Sequence, residues 1–149
     1  MIVYLDPSAI VRDYLDEPFR DELRVYLASA QARVTQAFGY TEVASAFAKA
    51  RRMNRISLED SKRVMGVFEE DWRKFHRVMP DEWTARRAAA LVDQFELRAM
   101  DAIHLAAAER VQFSLPPWSF VFVSFDDRQL LAAVRLQMQI PEFLGHGGC

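Results

Sequence analysis

Four acidic residues stand apart from the others. Asp6 follows directly on the apolar run Ile2-Val3-Tyr4-Leu5. Asp126 lies two residues beyond Ser124, at the end of Phe120-Val121-Phe122-Val123. Asp101 interrupts the small, apolar segment 99–108, and Glu42 sits in Thr41-Glu42-Val43-Ala44-Ser45-Ala46. A charge within a segment as apolar as 99–108 is costly to bury without a partner. If the four acids converge, their repulsion demands retained protons, partial exposure or a cation. Hard divalent cations relieve it, and all-oxygen ligation selects Mg²⁺ or Mn²⁺ over zinc or copper. Such an ion acidifies water and shields phosphate oxygens during in-line attack, so a carboxylate-only site suits phosphodiester hydrolysis. Each acid also has an ordinary reading. Asp6 and Asp126 suit helix N-caps, and Glu42 suits the positive end of a helix dipole. Ser8 and Ser124 suit turns or caps. His104, one turn after Asp101, reads as a packed or hydrogen-bonded helix residue rather than a ligand.

Other chemistries are poorly served. The single cysteine, Cys149, is terminal, which excludes an internal disulfide and cysteine-based zinc sites. His76, His104 and His146 form no metal-binding pair at helical spacing. Gly39 and Gly66 are the only glycines outside the last five residues, so neither a Walker loop nor a dinucleotide fingerprint exists. A net charge of −2 excludes a uniformly basic nucleic-acid binder but not a local patch. The densest basic run is Lys49, Arg51, Arg52 and Arg55, a candidate for RNA phosphate contacts as well as an ordinary solvated face. Arg12 and Arg128 lie near the starts of helices that begin at the acids. With 149 residues, 51% hydrophobic and 27% charged, the chain suits one globular domain over 1–149. No apolar run reaches about 18 residues and the N-terminus carries no signal-peptide pattern, so a cytoplasmic protein without a membrane span is expected.

The elements that must position these acids follow from hydrophobic periodicity. Residues 2–5 and 120–123 read as buried strands, the second apolar on both faces and therefore a central parallel strand. Weaker strands are expected at 34–36, 77–79 and, as an edge, 138–140. Helices are expected over 8–16, 18–30 with Pro18 in its first turn, and 38–53. Others run from a Ser57 cap, with Asp60 as a weak capping box, to about 75, then from 81 or 82 to 95, over 100–112, and over 127–136. The order is strand then paired helices, repeated. It predicts an α/β protein, a three-layer α/β/α sandwich with a mainly parallel sheet. Asp6 and Asp126 then leave the same sheet edge, the carboxyl ends of the strands, where ligands bind in such folds.

The acids and their neighbours resemble the motifs of the PIN domain family, and within it the VapC-type toxins of toxin–antitoxin pairs. Tyr4-Leu5-Asp6-Pro7-Ser8-Ala9 looks like that family's first strand and turn. Glu42 with Ser45 and Ala46 looks like its second acidic motif. Asp101-Ala102-Ile103-His104-Leu105-Ala106 matches the third, and Val123-Ser124-Phe125-Asp126 with Leu130 and Ala133 the fourth. The motifs occur in order along nearly the whole chain. The resemblance implies a Mg²⁺- or Mn²⁺-dependent endoribonuclease that cleaves cellular RNA, a homodimer, and a small VapB-type antitoxin that covers the site. It implies Asp6 and Asp101 as direct metal ligands, Glu42 and Asp126 as ligands directly or through water, and Ser8 and Ser124 as hydrogen-bonding support. Amide replacement of Asp6 or Asp101 is expected to abolish growth inhibition, weaken Mn²⁺ binding and leave thermal stability equal or higher. Ser124 stands where threonine is common. Residues 113–118 form a long lead into the last strand, placing Trp118 at a protein contact or the site mouth. The tail 141–149 matches no family motif. Competing readings are a PIN nuclease of RNA processing without an antitoxin, and a catalytically idle PIN-fold binding module. A receiver or phosphatase domain fits less well, because Asp6-Pro7-Ser8 lacks a second aspartate and no lysine falls at a late strand end.

Overall fold

A computed structural model describes residues 1–145; His146 and Cys149 lie outside it. The elements run β1 (Ile2–Leu5), α1 (Pro7–Tyr14), α2 (Arg20–Ala28), β2 (Ala32–Gln36), α3 (Gly39–Arg52), α4 (Leu58–Trp72) and β3 (His76–Val78). They continue with α5 (Glu82–Phe95), α6 (Ala99–Phe113), β4 (Phe120–Val123) and α7 (Asp127–Arg135). The strands form one parallel sheet in the order β3-β2-β1-β4, with Tyr4 opposite both Val34 and Phe122.

Strand alternation divides the core between two faces. Val3, Leu5, Val121 and Val123 pack with Ile10 of α1, Leu23 of α2, Phe47 of α3 and Phe68 of α4. Tyr4, Val34, Phe120 and Phe122 pack with Leu91 of α5, the alanine-rich α6 and Ala133 of α7. This is the expected three-layer sandwich, with two helices between each pair of successive strands. Alanines 102, 106, 107 and 108 are buried, and their small side chains let α6 lie close to the sheet.

The structure departs from the sequence reading at several places. Strand β4 is not central: its pairing partner on one side is β1, while its other edge is met by an isolated bridge from Val121 to Gln139. The expected strand 138–140 is reduced to that bridge, in which Phe122 N–H donates to the Gln139 carbonyl at 2.8 Å. β4 is apolar on both faces because it is covered by helices on both sides, which periodicity does not distinguish from a central position. Conversely, β2 is a full strand paired on both sides, although Arg33 dilutes its apolar pattern. Helix α2 starts at Arg20 rather than Pro18, because Phe19 takes a left-handed conformation (φ 65°) that breaks the helix. Helix α4 ends at Trp72, where Phe75 was expected. Its cap is as expected, with Asp60 N–H donating to Ser57 Oγ at 2.9 Å.

Trp118 is 76% exposed in a short 3₁₀ turn that leads into the start of β4. The acids follow the other end of that strand, so the topology removes Trp118 from the site mouth.

Candidate active site

Asp6 and Asp126 both realise their ordinary reading as N-caps, of α1 and α7, and also sit at the carboxyl ends of adjacent strands β1 and β4. Asp6 is 5% exposed. Its Oδ2 accepts from Ser8 N–H at 2.9 Å and from Ser8 Oγ at 2.6 Å, and its Oδ1 accepts from Gln129 Nε2 at 3.0 Å. The Asp6 N–H continues the sheet, donating to the Val123 carbonyl at 3.0 Å.

Gln129 is the hub of this end of the sheet. It is fully buried, accepts from Ser124 Oγ through Oε1 at 2.6 Å, and donates its second amide hydrogen to the Asp101 carbonyl at 3.1 Å. Its backbone N–H donates to Asp126 Oδ1 at 3.0 Å. Gln129 thus bonds the carboxylates of Asp6 and Asp126 and the main-chain carbonyl of Asp101. The two serines are fully engaged as well. Ser8 Oγ accepts from Phe125 N–H and Ser124 Oγ from Asp126 N–H, both at 3.0 Å. Each hydroxyl has a single hydrogen, already donated to Asp6 or Gln129, so the 3.3 Å approach of Ser8 Oγ to Ser124 Oγ is packing. Both serines therefore support the acid cluster.

Glu42 is held differently. A Cβ on Gly39 would lie 3.2 Å from Thr35 Oγ1 and 3.4 Å from His104 Cε1, so the first turn of α3 presses against β2 and α6. That approach places Glu42 Oε2 2.6 Å from His104 Nε2. His104 is fully buried, and its Nδ1 lies 3.1 Å from Tyr4 Oη. Burial, reinforced by the negative field of Asp6 and Glu42, raises the Tyr4 phenol well above its ordinary range, so Tyr4 keeps its proton to donate. With Tyr4 donating to Nδ1, the ring hydrogen sits on Nε2 and points at Glu42; this tautomer is assigned from the hydrogen bonds. His104 orients an acid from a second layer, consistent with the hydrogen-bonded helix residue expected from sequence.

Asp101 and Asp126 share a cation that the sequence reading missed. Arg98 Nε donates to Asp101 Oδ2 at 2.7 Å, and Arg98 Nη2 lies 3.5 Å from Asp126 Oδ2. Burial raises the Asp101 carboxyl above its ordinary range, the Arg98 guanidinium opposes that, and the charges of Asp6 and Asp126 add to it. Asp6, Asp101 and Asp126 thus act on one another electrostatically. Among the described residues, no three His, Cys, Asp or Glu side chains are already closed around a common ion position. The donors are nonetheless carboxylate oxygens with one shared guanidinium between two of them, a chemistry that fits a hard divalent cation.

The basic run lies elsewhere on α3. Lys49, Arg51 and Arg52 are exposed in its last turn, about 10–15 Å along the helix from Glu42 at 1.5 Å per residue. Arg55 is paired with Glu17 at 3.0 Å. Arg12 lies over the Phe125 ring, 3.7 Å from its centroid, and pairs with Glu17 at 3.3 Å.

The neighbours Asp126 and Asp127 separate cleanly. Asp126 is in the network, whereas Asp127 is exposed in the first turn of α7. Asp126→Asn should lower RNA cleavage by at least about tenfold at fixed metal concentration, as loss of a ligand-orienting group does. Asp127→Asn should change it less than about twofold, since a dipole-favouring surface acid contributes only roughly 0.3–1 kcal/mol to the helix. Initial rates on one RNA would rank the two, and the reverse ranking would move the fourth acid to Asp127.

Asp6 and Asp126 thus sit at the carboxyl ends of the first and last strands of a parallel α/β/α sandwich, and the PIN domain family model matches residues 3–135. The chain belongs to the PIN domain family. It is 35% identical over 144 residues, 93% of this chain and 95% of the relative, to Ribonuclease VapC46 of Mycobacterium tuberculosis (strain ATCC 25618 / H37Rv).

Proposed function

We propose that the chain is a metal-dependent endoribonuclease, acting as a single PIN domain over 1–149 and as the toxin of a VapBC-type pair. The observation that carries this reading is the linked set of Asp6, Asp101 and Asp126 around Gln129, with Glu42 oriented by His104. The likeness to a ribonuclease over nearly its whole length supports RNA as the substrate. Asp6 and Asp101 would hold Mg²⁺ or Mn²⁺, with Asp126 and Glu42 directly or through water. When bound, the ion neutralises charge at the phosphate and acidifies water.

The chain's own residues supply the rest. His104 occupies Glu42 Oε2, which leaves Oε1 to take a proton from the attacking water. Ser8 and Ser124 hold the Asp6 and Asp126 turns rigid. Lys49, Arg51 and Arg52 lie where an RNA strand crossing α3 would meet them, with Arg55 divided between RNA and Glu17. The apolar groove of about 580 Å³ between α3 and α4, lined by Tyr40, Ala44, Leu58 and Met65, suits an antitoxin helix. A homodimer and a cytoplasmic setting complete this reading. No helix among the described residues is long and apolar enough to cross a membrane.

The test is cleavage by the protein freed of any antitoxin. It should cut RNA with Mg²⁺ or Mn²⁺, stop in EDTA and recover on adding the ion, with 5′ ends mapped in cells that express wild type or Asp101→Asn. Full activity in EDTA, or the same new 5′ ends from both proteins, would refute it.

A further inference from the structure

Arg98 has an unusual position for a cation beside a metal site. It precedes α6, makes no side-chain cap, and spans Asp101 and Asp126 with a side chain that is 79% exposed. Its position depends on the two carboxylates rather than on packing. Beside it lies a cavity of about 280 Å³ lined by Glu96, Leu97, Arg98, Asp101, Asp126 and Arg128. That space has room for a phosphate group with water. Arg128 lines the same cavity, and its Nη1 donates to the Glu96 carbonyl at a long 3.4 Å. Glu96 ends α5 in a left-handed conformation (φ 54°), which turns the chain toward α6 and helps shape this wall.

The lining carries three carboxylates and two guanidiniums, a net −1 that a divalent ion turns into +1. Carboxylates neutralised by an ion hold a guanidinium less strongly, and a guanidinium fork suits phosphate oxygens as well as it suits carboxylate.

We propose that Arg98 is a tethered counter-ion that competes with the divalent ion for Asp101 and Asp126, and that, once displaced, it joins Arg128 to bind an RNA phosphate in this cavity. The proposal rests on the reading that these acids hold the ion. It makes Arg98 and Arg128 phosphate-binding residues, and it couples RNA binding to metal loading.

Two titrations test it. Calorimetric titration with Mn²⁺ alone should show Arg98→Gln binding about three- to tenfold more tightly than wild type, the span that two partly exposed ion pairs support. Arg98→Lys, which keeps the charge and loses the fork, should fall between them, and Arg128→Gln should match wild type. In saturating Ca²⁺, a fluorescent 2′-O-methyl RNA decamer should bind Arg98→Gln and Arg128→Gln more weakly. Each variant should also lower the slope of log affinity against log salt by about 0.7, the loss of one single-strand phosphate contact. Unchanged or weaker Mn²⁺ binding by Arg98→Gln, or a wild-type salt slope in either variant, overturns the proposal. No Mn²⁺ binding by wild type would overturn the metal reading, and this proposal with it.

Discussion

Asp101→Asn should reduce RNA cleavage by about a hundredfold or more, the scale of removing one principal electrostatic group from an active site, while leaving the melting temperature equal or slightly higher. The folded protein already disfavours charge at Asp101: burial raises its carboxyl above the ordinary range, and Arg98 only partly offsets that. An amide removes the penalty and loses one exposed ion pair. Asp6→Asn should lose as much activity and also lose stability. Asp6 accepts three hydrogen bonds from Ser8 and Gln129, and an amide nitrogen cannot accept. Turning Gln129 to suit it would break the bonds to Ser124 and the Asp101 carbonyl. A buried donor left unpaired costs roughly 1–3 kcal/mol. The sequence-based expectation of equal or higher stability for both variants is thereby revised for Asp6. Parallel cleavage assays and thermal melts in EDTA decide it: equal melts for the two variants would contradict the donor network, and retained cleavage would remove that acid from the site.

Arg87→Met should be strongly destabilising although it lies outside the site. Arg87 forks onto Glu109 at 2.6 and 2.8 Å across the α5–α6 contact, and the Glu109 side chain is only 5% exposed. Removing the guanidinium leaves a buried carboxylate without its partner. Breaking such a pair costs roughly 3–5 kcal/mol, and the lower end applies because Arg87 itself is 31% exposed. At about 2–4 °C per kcal/mol for a chain of this size, the melting temperature should fall by roughly 6–12 °C. Arg87→Met with Glu109→Met should recover most of the loss, since the pair itself contributes little beyond matching its own desolvation. A single variant that melts within about 2 °C of wild type would show that Glu109 finds another partner.

What the sequence revealed was local or periodic. The apolar runs of β1 and β4 placed Asp6 and Asp126 at one sheet edge, and the charge within an alanine-rich helix singled out Asp101. What it hid depends on contacts between residues far apart in the chain. Arg98 resembles any cation before a helix until α7 brings Asp126 to it. Gln129 is one polar residue in the helix after β4, and its partner Asp6 is 123 residues away. A faint signal was present: Gln129 shares a helical face with Ala132 and Ala133, which are buried, so a polar side chain there needs a partner. The expectation that β4 is central failed because a strand covered on both faces looks the same at the sheet edge as in its middle.

The long reach of that Gln129–Asp6 bond has a consequence for the order in which the acid cluster is assembled. β1 leaves the ribosome well before its neighbour β4 and the hub residue on α7. Chains emerge at roughly 5–20 residues per second, so for several seconds a nascent chain has the aspartate of the first turn but lacks the glutamine that holds it. The Asp6 end of the acid cluster is therefore completed only once α7 has emerged, and a fragment from translation stalled before α7 lacks the glutamine that holds Asp6.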